Sequence, residues 1–223
     1  SGFRSVMILI PVKNLATAKQ RLASLLSQPA RTALAQAMLL DELDALADWA
    51  RRPDVSIVTS DPFARDLAHR FGFEVIADNA NRSETDAIEM ATRVCELRGV
   101  DSTLVIPADI PLIQAWELEK ILETAPEQGA VLAPAADGRG TNAAFRRPAG
   151  LFPLRFGNDS FKPHLAAARA TGKPCFVVSL PGIALDVDNP SDLRQLAEAP
   201  GQTRAQRMAR QWDLSDLSLA ANE

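Results

Sequence analysis

Short apolar runs alternate along this chain with longer stretches of helical periodicity. Val6–Ile10 is an uninterrupted apolar run of strand length. Pro29–Trp49 follows, with Ala35, Leu39, Leu43 and Leu46 recurring on one helical face. The unit then repeats: Val55–Thr59 predicts a second strand, Pro62–Phe71 a helix stopped by Gly72, and Glu74–Ala77 a short third strand. Asp86–Arg98 reads as a helix, Thr103–Ile106 as a strand, Ala115–Thr124 as a helix and Ala130–Ala133 as a strand. Alternation on this scale predicts an α/β fold, with a mostly parallel twisted sheet and helices on both faces.

Beyond Asp137 the pattern loosens. Gly138–Asn142 and Arg155–Phe161 read as two loops rich in Gly, Asn and Ser, suited to wrapping a ligand. Phe176–Leu180 resumes a strand, and Ser191 is placed to cap a helix running to about Ala199. The polar stretch 200–223 reads as a late helix or a flexible end. No repeat or boundary divides the chain, so residues 1–223 are expected to form a single domain.

Composition narrows the function classes. The 223 residues are 47% hydrophobic, enough for an ordinary core, and the formal net charge of −4 supplies neither a field for nucleic acid nor a polybasic membrane patch. No leader-like segment or long apolar span is legible. Cys95 and Cys175 lack metal-site spacing, and a reducing cytoplasm is the expected location. Two histidines, His69 and His164, are too few for a histidine-based metal site.

The chemistry concentrates in carboxylates. The apolar run Ser102–Ile106 leads through Pro107 to Asp109, at the strand end where open α/β sheets bind ligands. Ile183-Ala184-Leu185-Asp186-Val187-Asp188-Asn189-Pro190 repeats the device. Acids so placed suit Mg²⁺ or Mn²⁺, since Mg²⁺ takes one or two carboxylates and fills its shell with water and phosphate oxygens. Taken alone, Asp109 is equally a turn residue before Pro111. Lys13, Lys19 and Arg21 follow the first strand and are placed to hold a triphosphate, although Lys19 and Arg21 also read as solvated helix charges. No Walker A spacing and no G-x-G-x-x-G is present, so neither a P-loop enzyme nor a dinucleotide binder is supported.

Five motifs occur in order: Ile10-Pro11-Val12-Lys13 with Ala18-Lys19-Gln20-Arg21-Leu22; Pro107-Ala108-Asp109-Ile110-Pro111; Gly140-Thr141-Asn142; Phe156-Gly157-Asn158-Asp159-Ser160 with His164; and Asp186-Val187-Asp188-Asn189-Pro190. Together they resemble the 2-phospho-L-lactate guanylyltransferase family over nearly the whole chain. The resemblance implies a nucleotide-diphospho-sugar transferase-like fold. It also implies transfer of GMP from GTP to phospholactate, phosphoenolpyruvate or 3-phospho-D-glycerate, with loss of pyrophosphate, on the route to coenzyme F-420.

By the same resemblance Asp109 and one of Asp186 and Asp188 hold the metal, and Lys13, Lys19 and Arg21 stabilise the leaving pyrophosphate. Thr141, Asn142, Gly157 and Ser160 meet the acceptor, and His164, at what reads as a helix start, suits either a contact to the acceptor's phosphate or a plain surface helix position. The segment 81–87 lies by the nucleotide pocket. Where relatives commonly carry Leu-Asn followed by Ala, this chain offers Ser83, Thr85 and Asp86 to base or ribose. Domains of this kind often pair, and the tail after Pro200 is the candidate contact for a homodimer. Two other readings stay open on the residues alone: transfer of another nucleotide, CMP among them, and a module that binds nucleotide without turnover. A sugar-phosphate or molybdenum-cofactor nucleotidyltransferase should show a glycine-rich loop after the first strand, which is missing here.

Overall fold

In the computed structural model, residues 4–212 and 214 are described. The first apolar run extends to Val12 as β1 (Val6–Val12), because Pro11 and Val12 keep pairing with the next strand, β2 (Asp54–Thr59). Between them runs α1 (Gln28–Ala47), capped by Ser27, whose hydroxyl accepts the Ala30 amide, with Pro29 in its first turn. The α2 helix (Pro62–Phe71) is capped by Asp61 and ends at Gly72, whose φ of 72° suits a residue without Cβ. Next come β3 (Glu74–Ala77), α3 (Glu84–Leu97), β4 (Ser102–Val105), α4 (Ala115–Thr124) and β5 (Gly129–Pro134).

The sequence pattern misread the next segment. The stretch Thr141–Arg147, expected to begin in a loop, is a strand, β6, hydrogen-bonded antiparallel to both β4 and β5. Its Thr-Asn-Ala-Ala-Phe-Arg-Arg sequence shows no alternation, because both faces are covered and even Arg146 is 3% exposed. The chain continues through α5 (Phe161–Ala170), β7 (Cys175–Val177), α6 (Pro190–Glu198) and α7 (Arg204–Gln211). Two further expectations need correcting. Asn189, not Ser191, caps α6: its side chain accepts the Asp192 amide while the Asp192 carboxylate accepts the Asn189 amide. The β7 strand also ends at Val177, two residues beyond which the chain turns off the sheet edge toward Pro181.

The strand order is β3-β2-β1-β4-β6-β5-β7, and β6 alone among the described strands runs against the others. Apolar side chains of α1, α2 and α4 bury one face of the sheet, and those of α3 and α5 bury the other. The α7 helix realises the late-helix reading of the tail. Ala205 and Ala209 pack with Leu193 and Leu196 of α6 against Leu34 and Met38 of α1. The rest of the predicted tail, residue 213 and residues 215–223, lies outside the described residues.

Candidate active site

Reversal of β6 determines what gathers at one edge of the sheet. The parallel strands deliver their carboxyl ends there: Lys13 after β1, Asp61 after β2, Asp78 after β3 and Asp109 after β4. An antiparallel strand brings its beginning to the same edge, so Thr141 and Asn142 join them. The chain after β7 returns across this edge. Asn142 Nδ2 donates to the Ile183 carbonyl at 2.9 Å and to Asp186 Oδ1 at 3.0 Å, and the Val187 amide donates to the Asp109 carbonyl at 3.0 Å.

Two chambers open here and share Glu84, Pro107 and Asp109 as a common wall. The first, of about 330 Å³, is bounded by Lys13, Asn14, Lys19 and Asn81. The second, of about 420 Å³, is bounded by Arg21, Thr141, Asn142, Gly157, Ser160 and the acids Asp186 and Asp188. Lys19, Asn81 and Asp159, the only non-glycine residues with positive φ among the described residues, all border these chambers. Such conformations cost about 1 kcal/mol or more each and cluster where surrounding structure holds them for a purpose. Gly157 has φ 148° with open space around its Cβ position, so backbone conformation and not crowding calls for glycine there.

Each cation is held by a carboxylate. Lys13 Nζ lies 2.8 Å from Asp78, Lys19 Nζ 2.7 Å from Asp109, and Arg21 3.0 Å from Asp188. Burial works against the Lys19 ammonium, but Asp109, with Asp188 and Asp186 behind it, outweighs burial and holds its pKa above the usual value. The three cations do not act as one group. Lys13 and Lys19 enter the first chamber, whereas the left-handed turn at Lys19 swings Arg21 onto the second, against Asp188 and Asn158.

The acids repel one another. Burial, then the Asp109 charge, pushes the Asp186 carboxyl above its usual value, and the same two causes push Glu84 up to about 7. A cluster of half-desolvated carboxylates with unneutralised charge is the donor set that a hard divalent cation takes. Among the described residues no three His, Cys, Asp or Glu side chains are gathered into a ready cage. One or two carboxylates with substrate phosphates completing the shell is the arrangement Mg²⁺ usually adopts, and Asp109 with Asp186 or Asp188 fits it.

Glu84 was not singled out from the sequence, and it carries a testable consequence. A carboxyl that ionises near pH 7 folded and near 4.5 unfolded stabilises the fold only while protonated, so its contribution fades as pH rises from 4.5 to 7. The stability of Glu84→Gln relative to wild type should therefore rise across that window and stay level above it. Thermal melts of both proteins from acid to neutral pH read this, and a flat difference would reject the shifted pKa.

Two groups of expected residues sit elsewhere. Ser83, Thr85 and Asp86 line neither chamber. Ser83 caps α3 by accepting the Asp86 amide, and Thr85 Oγ1 accepts the Phe156 amide at 3.0 Å, on the far side of the helix start. Glu84 faces the first chamber in their place, because successive helical residues point about 100° apart, and Asn81 joins it from the turn before the helix, where its φ is 45°. His164, expected to touch the acceptor, is 2% exposed and lies behind Thr141 without lining the chamber. A local signal, the Asn-Arg-Ser-Glu run before a helix, marks the cap, but not which side chain turns inward.

Residues 6–215 match the family model described as "Guanylyl transferase CofC like". The chain belongs to this guanylyltransferase family. Relatives of the guanylyltransferase include the phosphoenolpyruvate guanylyltransferase of Roseiflexus castenholzii, 35% identical over 92% of this chain and 93% of that protein. The 2-phospho-L-lactate guanylyltransferase of Methanothermobacter thermautotrophicus is 34% identical over 84% of this chain and 82% of that protein. The 3-phospho-D-glycerate guanylyltransferase of Colwellia psychrerythraea is 34% identical over 85% and 90%. The fold of the guanylyltransferase is that of a solved structure described as a nucleotide-diphospho-sugar transferase from Desulfovibrio desulfuricans G20. It superposes with a TM-score of 0.75 at 18% identity, covering 99% of this chain and 98% of that one. The enzyme is thus a nucleotidyltransferase, and no helix of the described residues is long and apolar enough to cross a membrane.

Proposed function

We propose that this guanylyltransferase moves GMP from GTP to the phosphate of a three-carbon phosphoacid, either phosphoenolpyruvate, 2-phospho-L-lactate or 3-phospho-D-glycerate, in coenzyme F-420 biosynthesis in the cytoplasm. The observation that carries this reading is the pair of chambers meeting at Asp109, one bounded by lysines and the other by hydroxyls and glycine backbone. A triphosphate needs the first kind of surface, and a small carboxylate the second.

An acceptor phosphate oxygen attacks the α-phosphorus, the bond from that phosphorus to the β-phosphate bridging oxygen breaks, and pyrophosphate leaves. No protein nucleophile takes part. Lys13 and Lys19 neutralise the triphosphate, and Lys19 reaches it by exchanging Asp109 for a phosphate oxygen. Thr141, Ser160 and the backbone at Gly157 orient the acceptor carboxylate, and Asn142 holds Asp186 in place. Arg21 steadies Asp188 and the Asn158 loop. Asp109 with Asp186 or Asp188 would hold Mg²⁺ or Mn²⁺, which when bound supplies charge neutralisation for the phosphates.

Pyrophosphate release with Mg²⁺, crossing GTP, CTP, ATP and UTP against the three acids, tests the proposal. The expected outcome is release with GTP and one acid. Turnover confined to another nucleotide, or silence in every pairing, would overturn it.

A further inference from the structure

His164 is a buried titratable group beside the acceptor chamber that the proposed reaction leaves unused, and both its ring nitrogens are engaged. Its Nε2 lies 2.8 Å from the Arg155 amide. A backbone N–H can only donate, so Nε2 must accept and the ring proton must sit on Nδ1. Nδ1 lies 2.7 Å from Thr141 Oγ1, which therefore accepts. Ser160 Oγ donates to the same Thr141 oxygen at 3.3 Å, so both lone pairs are taken and the Thr141 hydroxyl proton is left to point toward the chamber. The His164 ring also packs at a steep angle on Phe156, with centroids 5.4 Å apart and 68° between the ring planes. Side-chain and backbone ties from one imidazole thus hold both walls of the chamber, the start of β6 and the loop 155–160.

We propose that His164 is a positioning residue for the acceptor: a neutral imidazole that aims the Thr141 hydroxyl as a hydrogen-bond donor at the acceptor's carboxylate and anchors the loop carrying Gly157 and Ser160. Its surroundings agree with a permanently neutral ring, since burial and the Arg146 guanidinium push its pKa down to about 4. A neutral ring keeps one tautomer, and one tautomer keeps the hydroxyl polarity constant. This inference deepens the proposed function and rests on the second chamber being the acceptor site.

The test has two parts, and the first needs no substrate. With two histidines in the chain, ¹⁵N spectra of histidine-labelled protein give two ring systems, and His164→Gln assigns them. His164 should carry its proton on Nδ1 and stay neutral through about pH 5 to 8, where an ordinary histidine titrates. A proton on Nε2, or titration in that window, overturns the inference whatever the enzyme turns over.

The second part is kinetic. His164→Phe keeps a packed ring but loses both hydrogen bonds, and should raise the acceptor KM about ten- to a hundredfold with the GTP KM within about twofold. His164→Gln, whose amide can accept from Arg155 and donate to Thr141, should restore most of the loss. In a Thr141→Val background the His164→Phe penalty should shrink clearly, because the hydroxyl is gone and only the tie to the Arg155 amide is left to lose. Equal rises in both KM values, additive penalties, or a folded Gln variant impaired tenfold or more would overturn the proposal. Should the Phe variant not fold, the Gln variant and the spectra decide. Silence of wild type with every acid would count against the proposed function, while the spectra would still judge the tautomer.

Discussion

Asp109→Ala should lower pyrophosphate release by on the order of a thousandfold or more while the protein stays folded. Of the two acids that wall both chambers, Glu84 and Asp109, Asp109 is the one in the segment that follows the central strand β4. Removing its charge deletes the expected anchor for the divalent cation and frees Lys19 from its fixed place, and loss of several kcal/mol of charge stabilisation corresponds to that factor. The fold survives because its structural contribution is mostly backbone: its carbonyl accepts the Val187 amide, which alanine retains. Lys19 loses its nearest partner, but it opens onto a solvated chamber with Asp186 and Asp188 near, so a cost of about 1–3 kcal/mol is expected. Asp109→Asn separates charge from shape and should be nearly as inactive. Activity of Asp109→Asn above a tenth of wild type, measured with saturating GTP, acceptor and Mg²⁺, would remove Asp109 from the mechanism.

Glu117→Ala should cost about 3–5 kcal/mol of stability, a large share of what a domain of this size possesses. Glu117 is wholly buried on α4, and its carboxylate accepts three backbone amides: Gln114 at 3.0 Å, Gly182 at 2.9 Å and Ile183 at 3.2 Å. Alanine would strand all three without water. Glutamine is a poor substitute, since its NH₂ would face an amide N–H. Gly182 shows how tight the contact is, for a Cβ there would come within 2.3 Å of the Glu117 carboxylate. The anchored loop leads directly to Asp186, so activity should fall with stability. Denaturant melts would read the loss, and a change below about 1 kcal/mol would show that the loop is held by something else.

These two residues illustrate what was legible beforehand. Asp109 stands out in the chain because an apolar strand ends in an acid between prolines, a local pattern. Glu117 looks like any helix surface charge in Trp116-Glu117-Leu118-Glu119, and only its buried neighbours distinguish it from Glu119, which bonds the Trp49 indole. The same division separates Lys13 and Lys19 from Arg21: three cations lie close in sequence, but one left-handed residue sends the third to another chamber.

By itself, then, the sequence determined the β/α alternation, the glycine that stops α2 and the acids that follow its strands, since these come from periodicity and local backbone preference, while even the cap of α6 fell on Asn189 and not on Ser191. The tertiary structure decided the rest. It reversed β6, which brought Thr141 and Asn142 to the carboxyl edge, turned Glu84 and Asn81 inward in place of Ser83, Thr85 and Asp86, and buried His164 behind the chamber it was expected to line. The physical reason is that strand direction and helix rotation are chosen by which distant surfaces pack together, and an isolated stretch of chain does not contain its partner.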